Sequence, residues 1–242
     1  MKEKKGQNTR IQFYRYTIFS LVTVAIILMF FSAFLAMRSG TISVLLIKLG
    51  IKKDIPVNTD SYKSWSNCLE QLDVDVDVAF IGDSITANGN FQSLIQDKSV
   101  CNLGCYGDQV WDVTARIKAV KAVKPETLYI MIGVNTLGCR TLEQAEESYL
   151  SMADTYITAL PECKIIFLSV LPVAHSLEHG ARTNANIIKF NTFIQTVAKE
   201  YNVEYIDLFP LYFLDGELNQ QYTNDGLHIT QDAYHLWVDA IK

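Results

Sequence analysis

Four histidines and five cysteines in 242 residues leave little material for a metal centre. None of the cysteines (Cys68, Cys101, Cys105, Cys139, Cys163) stand in C-x-x-C spacing, which argues against a zinc ribbon. Their odd number leaves at least one thiol unpaired within the chain. The glycines between Gly82 and Gly89 lack the Gly-Lys-Ser/Thr ending of a phosphate-binding loop and the full spacing of a dinucleotide fingerprint. Past residue 15 there is no basic stripe, and the net charge is −5, so nucleic acid is disfavoured as a ligand. Internal repeats and low-complexity tracts are also missing.

Charge is absent altogether between Tyr16 and Met37, a 22-residue run of mainly Leu, Ile, Val, Phe and Ala. As a helix this run would extend roughly 33 Å, enough to cross a bilayer core. Buried core helices are usually shorter and keep one polar face. A cleaved signal peptide would have a shorter apolar core and small residues at its cleavage site, and Ser32–Ala36 offers no such pattern. The expectation is an uncleaved transmembrane helix over residues 16–37. Lys2, Lys4, Lys5, Arg10 and Arg15 precede it, whereas only Arg38 follows closely. That bias places a basic segment, residues 1–15, in the cytoplasm and the remainder outside, as a single-pass cell-membrane protein. Residues 38–60 form a juxtamembrane linker, in which Ile42, Leu45, Leu46 and Leu49 recur at helical spacing as a stalk.

Residues 61–242 alternate two kinds of segment. Val74–Ile81 begins with period-two alternation and ends fully apolar, as a strand entering a buried sheet does. Val100–Leu103, Leu128–Ile132, Lys164–Val170 and Val203–Leu208 read as further strands. Helical segments are expected at Tyr62–Leu72, Val110–Val123, Leu142–Leu160, Asn186–Tyr201 and Gln231–Ile241. Such alternation predicts an α/β domain, a parallel sheet with helices on both faces and its active groups at the carboxyl ends of the strands. Cys101 and Cys163 border apolar strands and read as core packing. Cys105 and Cys139 fall in loops that this fold could bring together, so a disulfide between them is conceivable.

The polar residues after the strands have a consistent chemistry. A serine hydroxyl such as that of Ser84 is a weak nucleophile until a neighbouring base takes its proton. His228 can do so if a carboxylate holds its other nitrogen, and Asp225 lies three residues away. A tetrahedral intermediate further needs donors aimed at its oxyanion, for which the Ser84 and Gly107 N–H groups and the Asn135 amide are candidates.

Gly82-Asp83-Ser84-Ile85-Thr86, Asn102–Asp108, Gly133-Val134-Asn135 and Asp225-Gly226-Leu227-His228 resemble, in order, the four motif blocks of the SGNH hydrolases, the GDSL esterases and lipases. The resemblance covers roughly residues 62–242. It implies a three-layer α/β/α domain with a five-stranded, flavodoxin-like parallel sheet, and no cofactor or metal. It implies Ser84, Asp225 and His228 as the catalytic triad, and Ser84, Gly107 and Asn135 as the oxyanion hole. The implied substrate is a small-molecule, glycan or lipid ester. Two departures stand out: Thr136 follows the third-block asparagine where aspartate is frequent, and Ala233 precedes Tyr234 where glycine is frequent. An O-acyltransferase acting on surface glycan, and a silent module binding glycan or protein, are the alternatives.

His175-Ser176-Leu177-Glu178-His179 has the H-x-x-E-H spacing of some zinc peptidases. Pro172 before it and Gly180 after it leave no room for the long helix that arrangement needs. It reads as a polar loop after the fourth strand, lining the cleft. His235 reads as a surface residue of the last helix.

Overall fold

Residues 67–242 are described by the structure, a computed structural model of the chain. The expected basic segment, transmembrane helix and linker all lie outside the described residues. Among the described residues no helix is long and apolar enough to cross a membrane.

Five parallel strands, β1 (Val76–Gly82), β2 (Val100–Gly104), β3 (Pro125–Met131), β4 (Lys164–Leu168) and β5 (Glu204–Ile206), form one sheet in the order β2-β1-β3-β4-β5. The order reverses at β1, so the crevice at its carboxyl end is the topological switch point where α/β sheets place their ligands. All five strands were legible in the sequence, with ends displaced by a few residues.

Side chains of successive residues point to opposite faces, which explains the continuous apolar runs. On one face Phe80, paired in register with Tyr129, stacks on Phe91 at 3.9 Å between ring centroids, and Phe91 meets Trp237 at 5.2 Å. These rings seat helices α1 (Ser84–Ala87) and α2 (Phe91–Leu94) and the C-terminal helix described below. On the other face Phe167 meets Tyr149, which meets Phe190 at 5.6 Å.

The segment expected as a single helix over Val110–Val123 is two, α3 (Val110–Ala115) and α4 (Ile117–Val123), broken at Arg116. Arg116 occupies the apolar face, 1% exposed, and its guanidinium needs partners that a straight helix would not let it reach. Helices α5 (Val134–Cys139), α6 (Leu142–Ala159) and α7 (Asn184–Glu200) follow, the last two close to expectation. Thr141 and Gln144 form a capping box that starts α6. The short α8 (Phe209–Tyr212), the two-stranded β6 (Phe213–Leu214) and β7 (Glu217–Leu218), and the 3-10 turns His175–Leu177 and Gln220–Tyr222 have no clear periodicity and were missed. The expected last helix is a 3-10 turn, Gln231–Ala233, followed by α9 (Tyr234–Ala240). Of the expected Tyr62–Leu72 helix, only residues 67–69 are helical among those described.

Candidate active site

Ser84 does not sit in an open turn: it is the first residue of α1, directly after β1. Asp83 caps that helix, its Oδ1 accepting from the Ile85 N–H at 2.9 Å. The cap fixes where the helix starts and therefore where the Ser84 hydroxyl points. Gly104 lets β2 come close enough to support it, since a Cβ there would lie 2.3 Å from the Ala87 nitrogen. Ser84 itself is 6% exposed.

Asp225 and His228 come from a loop stitched at its base by a bridge between Thr223 and Ile229. The Thr223 hydroxyl donates to the His228 carbonyl at 2.7 Å and accepts from the Gly226 N–H at 2.9 Å. Within the loop, Asp225 Oδ1 accepts from the Leu227 and His228 N–H groups at 2.9 and 2.8 Å. Its Oδ2 holds His228 Nδ1 at 2.6 Å. The other imidazole nitrogen, Nε2, is 2.8 Å from Ser84 Oγ. The proton on Nδ1 faces the carboxylate, which leaves Nε2 to accept from the serine hydroxyl. Burial pushes the Asp225 carboxyl up, but the hydrogen bonds from His228 and Leu227 outweigh it and hold the pKa at about 2. Asp225 therefore stays ionised throughout the neutral range.

The three expected oxyanion donors come from the segments that follow three neighbouring strands: Ser84 from α1 after β1, Gly107 from the turn after β2, and Asn135 from α5 after β3. Gly107 adopts φ 79°, a conformation suited to glycine, and its N–H makes no backbone hydrogen bond among the described residues. Asn135 is the second residue of α5 and donates through Nδ2 to the Asp108 carbonyl at 3.0 Å, which leaves its second amide hydrogen for a ligand. Thr136, one of the two departures from the family pattern, is fully buried, and its Oγ1 accepts from the Val110 N–H at 3.0 Å. It ties α5 to the start of α3. Ala233, the other departure, is buried beneath Tyr234, whose hydroxyl donates to the Ile85 carbonyl.

Beneath the site, Arg116 donates to the carbonyls of Gly82 and Leu103 and pairs with Asp108. Burial raises the Asp108 pKa and Arg116 opposes it, leaving it at about 6 and ionised at neutral pH. This residue escaped the sequence reading. Its signal was an arginine in line with Val113, Val120 and Val123 at helical spacing, where the stripe should be apolar.

The cysteines are all free thiols, so Cys105 and Cys139 are not joined. Cys139 Sγ donates instead to the side-chain amide oxygen of Gln109, Oε1. Cys101 and Cys163 pack against the core, and burial raises both thiol pKa values. His235 is exposed. The His175–His179 stretch is a 3-10 turn followed by a tight bridge between His179 and Arg182. Glu178 accepts from the Asn184 N–H at 2.8 Å, and the His175 N–H donates to Glu217. Among the described residues no group of three side chains is placed to hold a metal.

A model of the GDSL-like Lipase/Acylhydrolase family matches residues 80–236, and the chain belongs to that family, a class of ester-hydrolysing enzymes. An N-acylneuraminate cytidylyltransferase of Streptococcus agalactiae is 31% identical over 121 residues, 47% of this chain and 28% of that protein. A multidomain esterase of Ruminococcus flavefaciens is 25% identical over 130 residues, 51% of this chain and 16% of that protein. The chain thus spans under a third of the length of these curated relatives. Among solved structures, a GDSL-like lipase from Bacteroides thetaiotaomicron shares the fold with a TM-score of 0.61 at 22% identity, covering 76% of this chain and 95% of that one.

Proposed function

We propose that this chain is a membrane-anchored, extracytoplasmic serine esterase. Ser84 attacks the acyl carbonyl while His228 Nε2 takes the hydroxyl proton. Asp225 holds the imidazole in the tautomer that can accept it. The Ser84 and Gly107 N–H groups and the Asn135 amide receive the charge on the carbonyl oxygen. His228 then protonates the departing alcohol, and water, deprotonated by the same imidazole, releases the acid from Ser84. No step requires a cofactor.

The observation that carries this reading is the unbroken hydrogen-bond chain from Ser84 Oγ through His228 to Asp225 Oδ2, at 2.8 and 2.6 Å. The family supports ester bonds as the substrate, and the similarity to a multidomain esterase agrees. Similarity to a protein named for N-acylneuraminate supports an ester carried on a glycan. The anchor and the outward orientation rest on the uncharged run Tyr16–Met37 and the basic residues before it.

The test is a panel of acetyl and longer acyl esters hydrolysed by the full-length protein in detergent, together with labelling by a fluorophosphonate. Turnover and labelling that both vanish in Ser84→Ala are expected. Hydrolysis that persists in that variant, or acyl transfer to a glycan alcohol with little free acid, would overturn the assignment.

A further inference from the structure

The loop between β4 and α7 touches both the segment that carries Asp225 and His228 and the helix that carries Asn135. On one side the Ala174 N–H donates to the Gly226 carbonyl at 2.8 Å, in the loop that carries Asp225 and His228. On the other side Gly180 packs on the carbonyls of Leu137 and Gly138, in the helix that carries Asn135. Asn184 fixes the loop's base, its amide exchanging hydrogen bonds with Val173 at 2.8 and 2.9 Å.

Two cationic or hydrogen-donating groups of this loop converge over Gly138. His179 Nδ1 lies 2.9 Å from Arg182 Nη2 and 3.1 Å from the Leu177 carbonyl oxygen; because a guanidinium can only donate, we take Nδ1 as its acceptor, with the neutral imidazole's proton on Nε2. A Cβ at Gly138 would lie 3.3 Å from that Nε2 and 3.5 Å from Arg182 Nη1. Glycine therefore leaves both donors uncovered. Among the described residues no carboxylate pairs with Arg182; its Nε donates to the Leu177 carbonyl at 3.3 Å, and the nearby Cys139 thiol is the one group that favours its charge. Glu178, the nearest acid in sequence, is occupied by the Asn184 N–H and by His175. Arg140, the neighbouring cation, lies over the Trp111 ring at 4.9 Å. Arg182 is half-buried, and a half-buried guanidinium without a counter-charge is costly unless a ligand supplies one.

We propose that Arg182 and His179 form an anion subsite that selects esters whose alcohol bears a carboxylate. This rests on the esterase reading and names the substrate class of the same site. Gly138 lies three residues beyond Asn135, about one helical turn or roughly 5 Å along the axis. In an acetyl ester the acyl group has no atom to place there, so for that class of ester the anion is carried by the alcohol. A planar guanidinium suits the two oxygens of a carboxylate, and His179 Nε2–H adds a third donor.

The experiment compares acetyl esters of glucose, glucuronic acid and glucose 6-phosphate with p-nitrophenyl acetate, using the full-length protein and its Arg182→Gln, Arg182→Lys and His179→Ala variants. Acetylated glucuronic acid should be preferred over acetylated glucose by about tenfold or more in kcat/KM. Arg182→Gln should erase that preference through KM, with Arg182→Lys restoring part of it, while hydrolysis of p-nitrophenyl acetate and thermal stability stay near wild type. A preference for the phosphate ester alone would overturn the carboxylate assignment. Equal losses on charged and neutral esters would show that Arg182 only shapes the loop, and would overturn the subsite. Absence of Ser84-dependent hydrolysis of p-nitrophenyl acetate would instead strike the esterase reading itself.

Discussion

Arg116 and Asp108 form an ion pair sealed beneath the carboxyl ends of β1 and β2, 1% and 3% exposed. The pair connects the site's separate parts. Arg116 also binds the Gly82 and Leu103 carbonyls, the ends of the strands that lead to Ser84 and to the Gly107 turn. Asp108, through its backbone carbonyl, receives the Asn135 amide. One guanidinium thus sets the spacing among three of the proposed oxyanion donors.

Arg116→Leu should destabilise the domain by about 3–5 kcal/mol, because it leaves the Asp108 charge buried and alone. Urea unfolding measures this. The double variant Asp108→Asn, Arg116→Met, which removes both charges, should lose clearly less than Arg116→Leu. If the double variant proves the weaker of the two, the pair is not what holds the strand ends.

Asn135→Ala should lower kcat about 10²–10³-fold with little change in KM, since its free amide hydrogen serves the transition state more than the bound ester. The fold should survive, because among the described residues the side chain makes a single hydrogen bond, to the Asp108 carbonyl. Steady-state kinetics on a chromogenic ester decide the matter. A loss confined to KM would move Asn135 from oxyanion donor to substrate binding.

Burial pushes the Asp83 carboxyl up to about 7; the Ile85 N–H and His228 oppose this, while Asp108 adds to it. A carboxyl with a raised folded pKa contributes stability that is complete below its unfolded pKa and is lost as pH rises through the folded one. Stability should therefore fall as pH rises from about 4, the unfolded value, to about 7, by on the order of a few kcal/mol, and level off above that. Asp83→Asn keeps an oxygen for the Ile85 N–H and should flatten that decline. Urea midpoints across the pH range provide the readout, and parallel curves for the two proteins would refute the assignment.

Protease added outside intact cells should digest residues 61–242 and spare the N-terminal segment, as the basic residues before the uncharged run require. Immunoblotting with an N-terminal tag reads the protected fragment. Protection of the C-terminal domain until lysis would reverse the orientation, and a mature chain beginning after Met37 would show a cleaved signal.

Much of this protein follows from sequence alone. Short, nearly continuous apolar runs followed by polar or glycine residues define the five strands, because a strand buried on both faces admits little else. The four motif blocks name the proposed site residues through their resemblance to the SGNH hydrolases, and three of those blocks stand directly after a strand. Tertiary structure decided the rest. Ser84 and His228 are separated by 144 residues, and their 2.8 Å contact exists because the sheet order puts β1 at the switch point and the C-terminal helix packs beside it. The break at Arg116 depends on carbonyls at the ends of two strands, which no local periodicity can reveal. His179, Arg182 and Gly138 look like unrelated loop residues in the sequence; only the packing of the β4–α7 loop on α5 places two donors over one missing side chain.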